Sequence, residues 1–171
     1  MATTASASNE TAAKKSGKRS DAATLLRQDH REVKALFKKY EKAEDQAEKA
    51  QLAAEICKQL IVHATIEEEI FYPACAEKME DESPIDEAHV EHDTAKVLIG
   101  DLMASSPEDE RYDAKVTVLG EYVSHHIAEE EQGGTGILAR AKKAGVDMNA
   151  LGETLRTRKE QLLSEAADQP F

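Results

Sequence analysis

Two stretches of the chain place a histidine four residues ahead of a glutamate inside a similar acidic word: LIVHATIEEE at residues 60–69 and YVSHHIAEEE at 122–131. A pair at i and i+4 projects from one helix face about one turn apart. The numbering ties the two stretches together and recruits two further histidines. His30 to His92 spans 62 positions (92 − 30), His63 to His125 spans 62 (125 − 63), and Glu67 to Glu129 spans 62 (129 − 67). Core-type residues agree at that offset: Leu36 with Leu98, Phe37 with Ile99, Ile56 with Val118 and Leu60 with Tyr122. The chain reads as a repeated helical hairpin. In each half, one helix offers a histidine and the next offers His-x-x-x-Glu.

Four imidazoles (His30, His63, His92, His125) and two carboxylates (Glu67, Glu129) are then expected to converge on the axis of a bundle. Burying two carboxylates among apolar side chains without compensation costs more than a small domain can bear, so the site needs cations or protons. Neutral imidazoles and carboxylates together suit a borderline divalent metal such as iron, manganese or zinc. Two carboxylates related by pseudo-twofold symmetry can bridge two ions and leave two imidazoles for each. A dinuclear centre is the expectation. The offset pairs His126 with Ala64 and His89 with Arg27, and so nominates His125 over its neighbour. His126 shares helical spacing with Leu119 and Val123 and stands as the alternative, as does His89, one turn before His92. Glu68, Glu69, Glu130 and Glu131 are assigned to solvated faces. Tyr72 and Tyr122 are read as packed rings with wet hydroxyls, a redox role near a metal being the alternative.

Helices must position these groups. Leu26, His30, Val33, Phe37 and Tyr40 follow the 3.6-residue rhythm, with Ser20 or Asp21 available as cap. Ile56, Leu60, His63, Glu67 and Ile70 continue it in a second helix, which Pro73 is expected to end. Ser83, Pro84 and Asp86 signal the start of a third, and Ser106, Pro107 and Asp109 repeat that signal for a fourth. Short connections predict antiparallel neighbours in an up-down four-helix bundle. A fifth helix is expected after Asp147, with Leu151, Leu155 and Leu162 facing the body. The bundle and this helix are assigned to residues 20–168. Residues 1–19, MATTASASNETAAKKSGKR, lack apolar periodicity and are expected to be a disordered tail. Lys14, Lys15, Lys18 and Arg19 make the tail locally basic, which admits docking to an acidic protein partner.

Composition agrees with an all-α chain: 33% charged residues, 4% aromatics and no Trp in 171 residues. A formal net charge of −12 repels nucleic-acid backbones and anionic lipid, so neither is an expected partner. No apolar run approaches the ~18 residues of a membrane span, and a secretion signal is not evident, so the reading is cytoplasmic. Cys57 and Cys75 would lie about 25 Å apart along a continuous helix, too far to bridge, and are expected to be reduced thiols. Nothing in the sequence specifies the oligomeric state.

The pattern His30, His63-x-x-x-Glu67, His92, His125-x-x-x-Glu129, with the words HATIEEEIFYPA and EAHVEHDTAKVLI, resembles the hemerythrin-like proteins with the HHE cation-binding domain over roughly residues 20–165. The resemblance implies a four-helix bundle around a non-haem di-iron centre, with two irons per chain bridged by the glutamates matching Glu67 and Glu129. Manganese or zinc are the alternative metals. It also implies binding of or reaction with dioxygen or peroxide, or sensing of iron or oxygen without turnover. Two electrons passing from the reduced metals to peroxide is the concrete reaction expected, the enzyme assignment being left open. A structural zinc pair is the other rival. The second half departs from the pattern, since QGGTGILARA stands where a counterpart of IFYPA belongs. Gly133, Gly134 and Gly136 cannot continue a stable helix, and the expectation is a remodelled lid that eases ligand access.

Overall fold

The computed structural model describes residues 20–168, and the expected tail at 1–19 lies outside them. All regular structure among the described residues is helical. Helix α1 (Ala22–Tyr40) is capped by Asp21, whose Oδ1 accepts the Thr24 N–H at 2.8 Å. Five residues lead to α2 (Gln46–Ile66), capped in the same way by Asp45. The chain then widens into a π turn at Glu67–Phe71 and re-enters a short helix, α3 (Tyr72–Ala76). Helix α4 (Ser83–Met103) and helix α5 (Tyr112–Glu130) form the second hairpin, followed by α6 (Ile137–Lys143) and α7 (Met148–Asp168). The two hairpins pack as a bundle, and α7 lies against α1 and α2.

Two apolar clusters fill the bundle. One gathers Leu26, Ile66, Phe71, Tyr72, Leu138 and Leu155. The other gathers Val33, Ile56, Leu60, Ile99, Val116 and Leu119. The inward histidines sit between them along the helices: His30 between Leu26 and Val33, His63 between Leu60 and Ile66, His92 between Ala88 and Ile99. The bundle is therefore two dry cores separated by one buried polar layer. Dry cores of this kind hold the backbone rigid around whatever the layer contains.

Three local expectations need correction. Pro73 does not end the helix, because the π turn precedes it. That turn pairs the Tyr72 N–H with the Glu67 carbonyl five residues back, and the proline falls at the start of α3, where its missing N–H costs little. Ser106, Pro107 and Asp109 do not start the fourth helix. Asp109 Oδ2 accepts the Ser106 N–H at 2.9 Å and closes an isolated turn, so α5 begins only at Tyr112. Ser83 is the first residue of α4, not its cap, and its hydroxyl donates to Asp81 at 2.6 Å. The fifth helix forms as expected, with Asp147 Oδ1 accepting from Ala150 N at 3.0 Å and Leu155 fully buried. Cys57 and Cys75 are buried free thiols.

Candidate metal centre

The polar layer contains His30, His63, Glu67, His92, His126 and Glu130, each at most 9% exposed. The imidazoles come in two pairs. His30 Nε2 lies 3.1 Å from His63 Nε2, and His92 Nε2 lies 3.2 Å from His126 Nε2. The carboxylates cross between the pairs. Glu67 Oε2 is 3.2 Å from His63 Nε2 and 3.5 Å from His92 Nε2, while Glu130 Oε2 is 3.4 Å from His30 Nε2 and 3.7 Å from His126 Nε2. Each carboxylate thus faces one imidazole of each pair, the placement a bridging ligand needs.

The outer nitrogens fix the protonation. His30 Nδ1 is 2.7 Å from Glu131, His92 Nδ1 is 2.9 Å from Glu68, and His126 Nδ1 is 2.7 Å from Glu91. A carboxylate only accepts, so each of these Nδ1 atoms carries the hydrogen and donates it. His63 Nδ1 faces Asp29 Oδ2 at 3.5 Å. The inner Nε2 atoms of neutral rings are then bare lone pairs, pointed at one another and at two carboxylates. Glu67 Oε1 and Glu130 Oε2 are buried without a hydrogen-bond partner. Such a convergence of acceptors is repulsive unless cations or protons occupy it, and His held by an outer carboxylate is the usual form of a metal-ligating imidazole. Two groups of donors within 4.8 Å of one another, His30–His63–Glu67–Glu130 and Glu67–His92–His126, share Glu67. The donor set fits a pair of divalent cations.

Electrostatics agree. Burial, reinforced by the charge of Glu130, pushes the Glu67 carboxyl well above its usual range. Burial, with the neighbouring His126, lowers His92 to about 4, and burial also lowers His63. These three shifts favour uncharged groups, whereas, against the cost of burial, the hydrogen bond from His30 and the nearby imidazoles hold the Glu130 carboxyl low, and Glu91 with Glu130 raises His126. The Tyr72 hydroxyl donates to Glu130 Oε1 at 2.9 Å and lies 3.4 Å from His92 Nε2. Burial and the two glutamates raise it well above the ordinary phenol value, so it keeps its proton. Glu67 and Tyr72 are five residues apart, which on an α-helix would turn them about 140° from one another. The π turn brings them together.

The profile of the hemerythrin HHE cation binding domain matches residues 21–133, about two thirds of the chain. The chain belongs to this family. As a hemerythrin-like, metal-binding protein it shares its fold with a hemerythrin HHE cation binding domain-containing protein of Mycobacterium kansasii, known from a crystal structure. The two are 22% identical, with a TM-score of 0.73 over 88% of this chain and 91% of the other. It is also 29% identical over 107 residues to a protein of Nostoc named DNA nickase. That match covers 63% of this chain and only 30% of the relative's length.

In this HHE-family chain the polar layer takes four of the six residues nominated from the sequence: His30, His63, Glu67 and His92. His125 and Glu129 do not join them; their side chains are 67% and 43% exposed. His126 and Glu130 take those places. The cause is a net difference of one residue in the path between the paired histidines. His30 and His63 are 33 positions apart but His92 and His126 are 34. The longer connection at 104–111 than at 41–45 is offset by His126 standing nearer the start of α5 than His63 does to the start of α2, and the extra residue lies between His92 and the end of α4. Apart from Ile127, the buried positions of α5, Tyr112, Val116, Leu119, Val123, His126 and Glu130, step by four, three, four, three and four, and this rhythm carries the observed register. Glu68 and Glu131 are also not merely solvated, for each holds an imidazole. His89 stays out of the donor groups and packs its ring edge-on against Tyr72 at 5.2 Å. Tyr122 is 42% exposed, whereas Tyr72 is a component of the site. The glycine segment is remodelled into the cap of α6. Gly136 lies so close to the Glu129 and Glu130 carbonyls that an added Cβ would stand 2.5 and 2.4 Å from them, and Gly134 has φ +84°.

Proposed function

We propose that His30, His63, His92, His126, Glu67 and Glu130 hold a carboxylate-bridged pair of iron ions that binds or reacts with dioxygen or peroxide. The observation that carries this reading is the facing of four Nε2 atoms by two buried carboxylates that each span both imidazole pairs. Iron held there would supply electrons to a small oxidant. The residues supply the rest. Glu131, Glu68 and Glu91 orient three imidazoles and keep their protons on Nδ1. Tyr72 holds a proton at its hydroxyl beside Glu130. The four imidazoles, with Val33, Leu60, Ile99 and Val123, line a cavity of about 40 Å³. A water-sized molecule needs on the order of 10–15 Å³ by this measure, so a diatomic fits. The apolar walls favour dioxygen over bulkier or charged molecules and limit the entry of water.

The test is anaerobic loading with ferrous iron, metal counting, and absorption spectra on adding air or peroxide. Two irons per chain and a new near-ultraviolet band on oxidation are expected. A colourless protein that retains zinc with iron in excess would favour the structural alternative.

A sensing role is the second reading, favoured by the contacts of α7. Lys159 Nζ lies 2.6 Å from Asp29 Oδ1, Asp29 faces His63, and Arg158 makes two hydrogen bonds to Glu69 of the π turn. Metal occupancy is thereby tied to the seating of the last helix. Lys159→Met is expected to weaken metal binding roughly tenfold, in line with loss of an outer support of a ligating histidine. Limited proteolysis with and without metal measures the coupling: α7 gains protection on loading in the parent chain and less in the variant. The −12 net charge gives a DNA backbone no electrostatic attraction, so the activity in the Nostoc relative's name is not carried over.

A further inference from the structure

One group of metal-ligating side chains lies outside the polar layer. His125 Nε2 is 3.2 Å from Glu129 Oε1 on the same face of α5 and 3.9 Å from Glu91 Oε1 on α4. Their donor atoms fall within 4.8 Å of one another at the surface. Three other carboxylates around the layer are neutralised by lysine or arginine: Asp29 by Lys159, Glu68 by Lys96, Glu69 by Arg158. Among the described residues, neither Glu91 nor Glu129 is paired with a lysine or arginine. One imidazole and two carboxylates without a counter-cation make a donor set for a borderline divalent ion.

A second observation gives this group a direction. Glu91 uses its other oxygen, Oε2, to accept from His126 Nδ1 at 2.7 Å, so one side chain touches both the surface group and a histidine of the buried layer. A groove of about 170 Å³ has Glu91 and Glu129 on its wall together with buried His126 and Glu130. Glu130 is 1% exposed, and its Oε2, which has no hydrogen-bond partner, faces His30 and His126 on the inner side of this wall. Gly136 also lines the groove, and the absence of a side chain there keeps α6 tight against the end of α5 without filling the space. A cation held by His125, Glu129 and Glu91 would stand beside a groove whose wall also holds Glu87 and two residues of the buried layer.

We propose that His125, Glu129 and Glu91 form a surface docking site for a divalent cation that feeds the buried centre through this groove. The inference rests on the proposed buried centre for its second half only. Being exposed, His125 and Glu129 can be changed without disturbing the core. The experiment titrates the metal-free full chain with Zn²⁺ by calorimetry and follows filling by stopped-flow competition with a chromogenic chelator. The parent chain is expected to bind two ions tightly and a third more weakly. His125→Ala/Glu129→Gln is expected to lose only the weak ion and to fill the tight sites at least fivefold more slowly. A stoichiometry or a filling rate equal to the parent's overturns the proposal. Failure of the buried-centre reading looks different, since the tight ions would be missing from the parent chain while the weak ion persisted and vanished in the double variant.

Discussion

His126→Ala is expected to leave the chain unable to retain its full pair of tightly held ions, whereas His125→Ala retains both once loosely held metal is removed. The two histidines are neighbours in sequence, but successive residues on a helix point about 100° apart. His126 faces the core with Val123 and Glu130, and its Nε2 lies 3.2 Å from that of His92. His125 faces solvent. Removing the inner ring takes one nitrogen from a pair and leaves Glu91 without the N–H it accepts, so both the donor set and its outer support are lost. Loss of at least one ion per chain, counted by elemental analysis after desalting, is the expected outcome. Equal retention by the two variants would mean that the polar layer is not where the metal is held. A graded protein-stability effect does not imitate this contrast, because the metal count is normalised to folded protein.

Helix periodicity made most of this legible from the residues alone. The all-helical fold, the paired hairpins and the first three histidines follow from side-chain spacing, which a helix enforces through its fixed turn. His30 and His92 obey the 62-residue repeat because equivalent first helices precede any difference in connection length. His126 and Glu130 escape the repeat because the path from His92 to His126 is one residue longer than that from His30 to His63, and a register shift rotates every later side chain off the matching face. The repeat is therefore a poorer guide past a connection than the local apolar rhythm, which pointed to His126 through Leu119 and Val123. The π turn was hidden for a different reason. Its extra residue per turn is compatible with the same composition as an α-helix, and Pro73 was read as a stop signal instead of as the start of a helix after a widened turn. The wet hydroxyl expected of Tyr72 is instead buried against Glu130. The outer carboxylates Glu68, Glu91 and Glu131 belong to helices or turns other than those of the rings they hold, and such pairings across the bundle leave no spacing in the sequence.

Glu67→Gln should change stability in opposite directions with and without metal. Without a cation, Glu67 and Glu130 share a dry site, and burial together with the charge of Glu130 raises the Glu67 carboxyl. A raised carboxyl favours folding while it is protonated. That contribution is complete below the unfolded value near 4.3 and is lost as pH rises through the folded value, so the metal-free parent loses stability as pH increases from the mid-fours toward neutrality. Gln is uncharged throughout and nearly isosteric. The metal-free variant is expected to be more stable than the parent at pH 7 by roughly 1–3 kcal/mol, with a flatter dependence on pH in this range. With metal the ranking reverses. Glu67 is the residue common to both groups of donors, and an amide cannot supply the negative charge that two cations bring to the bridge. Metal at 1,000 times its dissociation constant stabilises by about 4 kcal/mol per independently filled site, which for a chain of this size is on the order of 10 °C in Tm. The parent is expected to gain at least that on loading, and Glu67→Gln less than about a third of it. Thermal unfolding of both proteins between pH 5 and 8, with and without ferrous iron under anaerobic conditions, measures the crossing directly. If the variant proves less stable in the metal-free state as well, Glu67 serves the fold through its hydrogen bonds, and the repulsion between the paired carboxylates is not what the cations relieve.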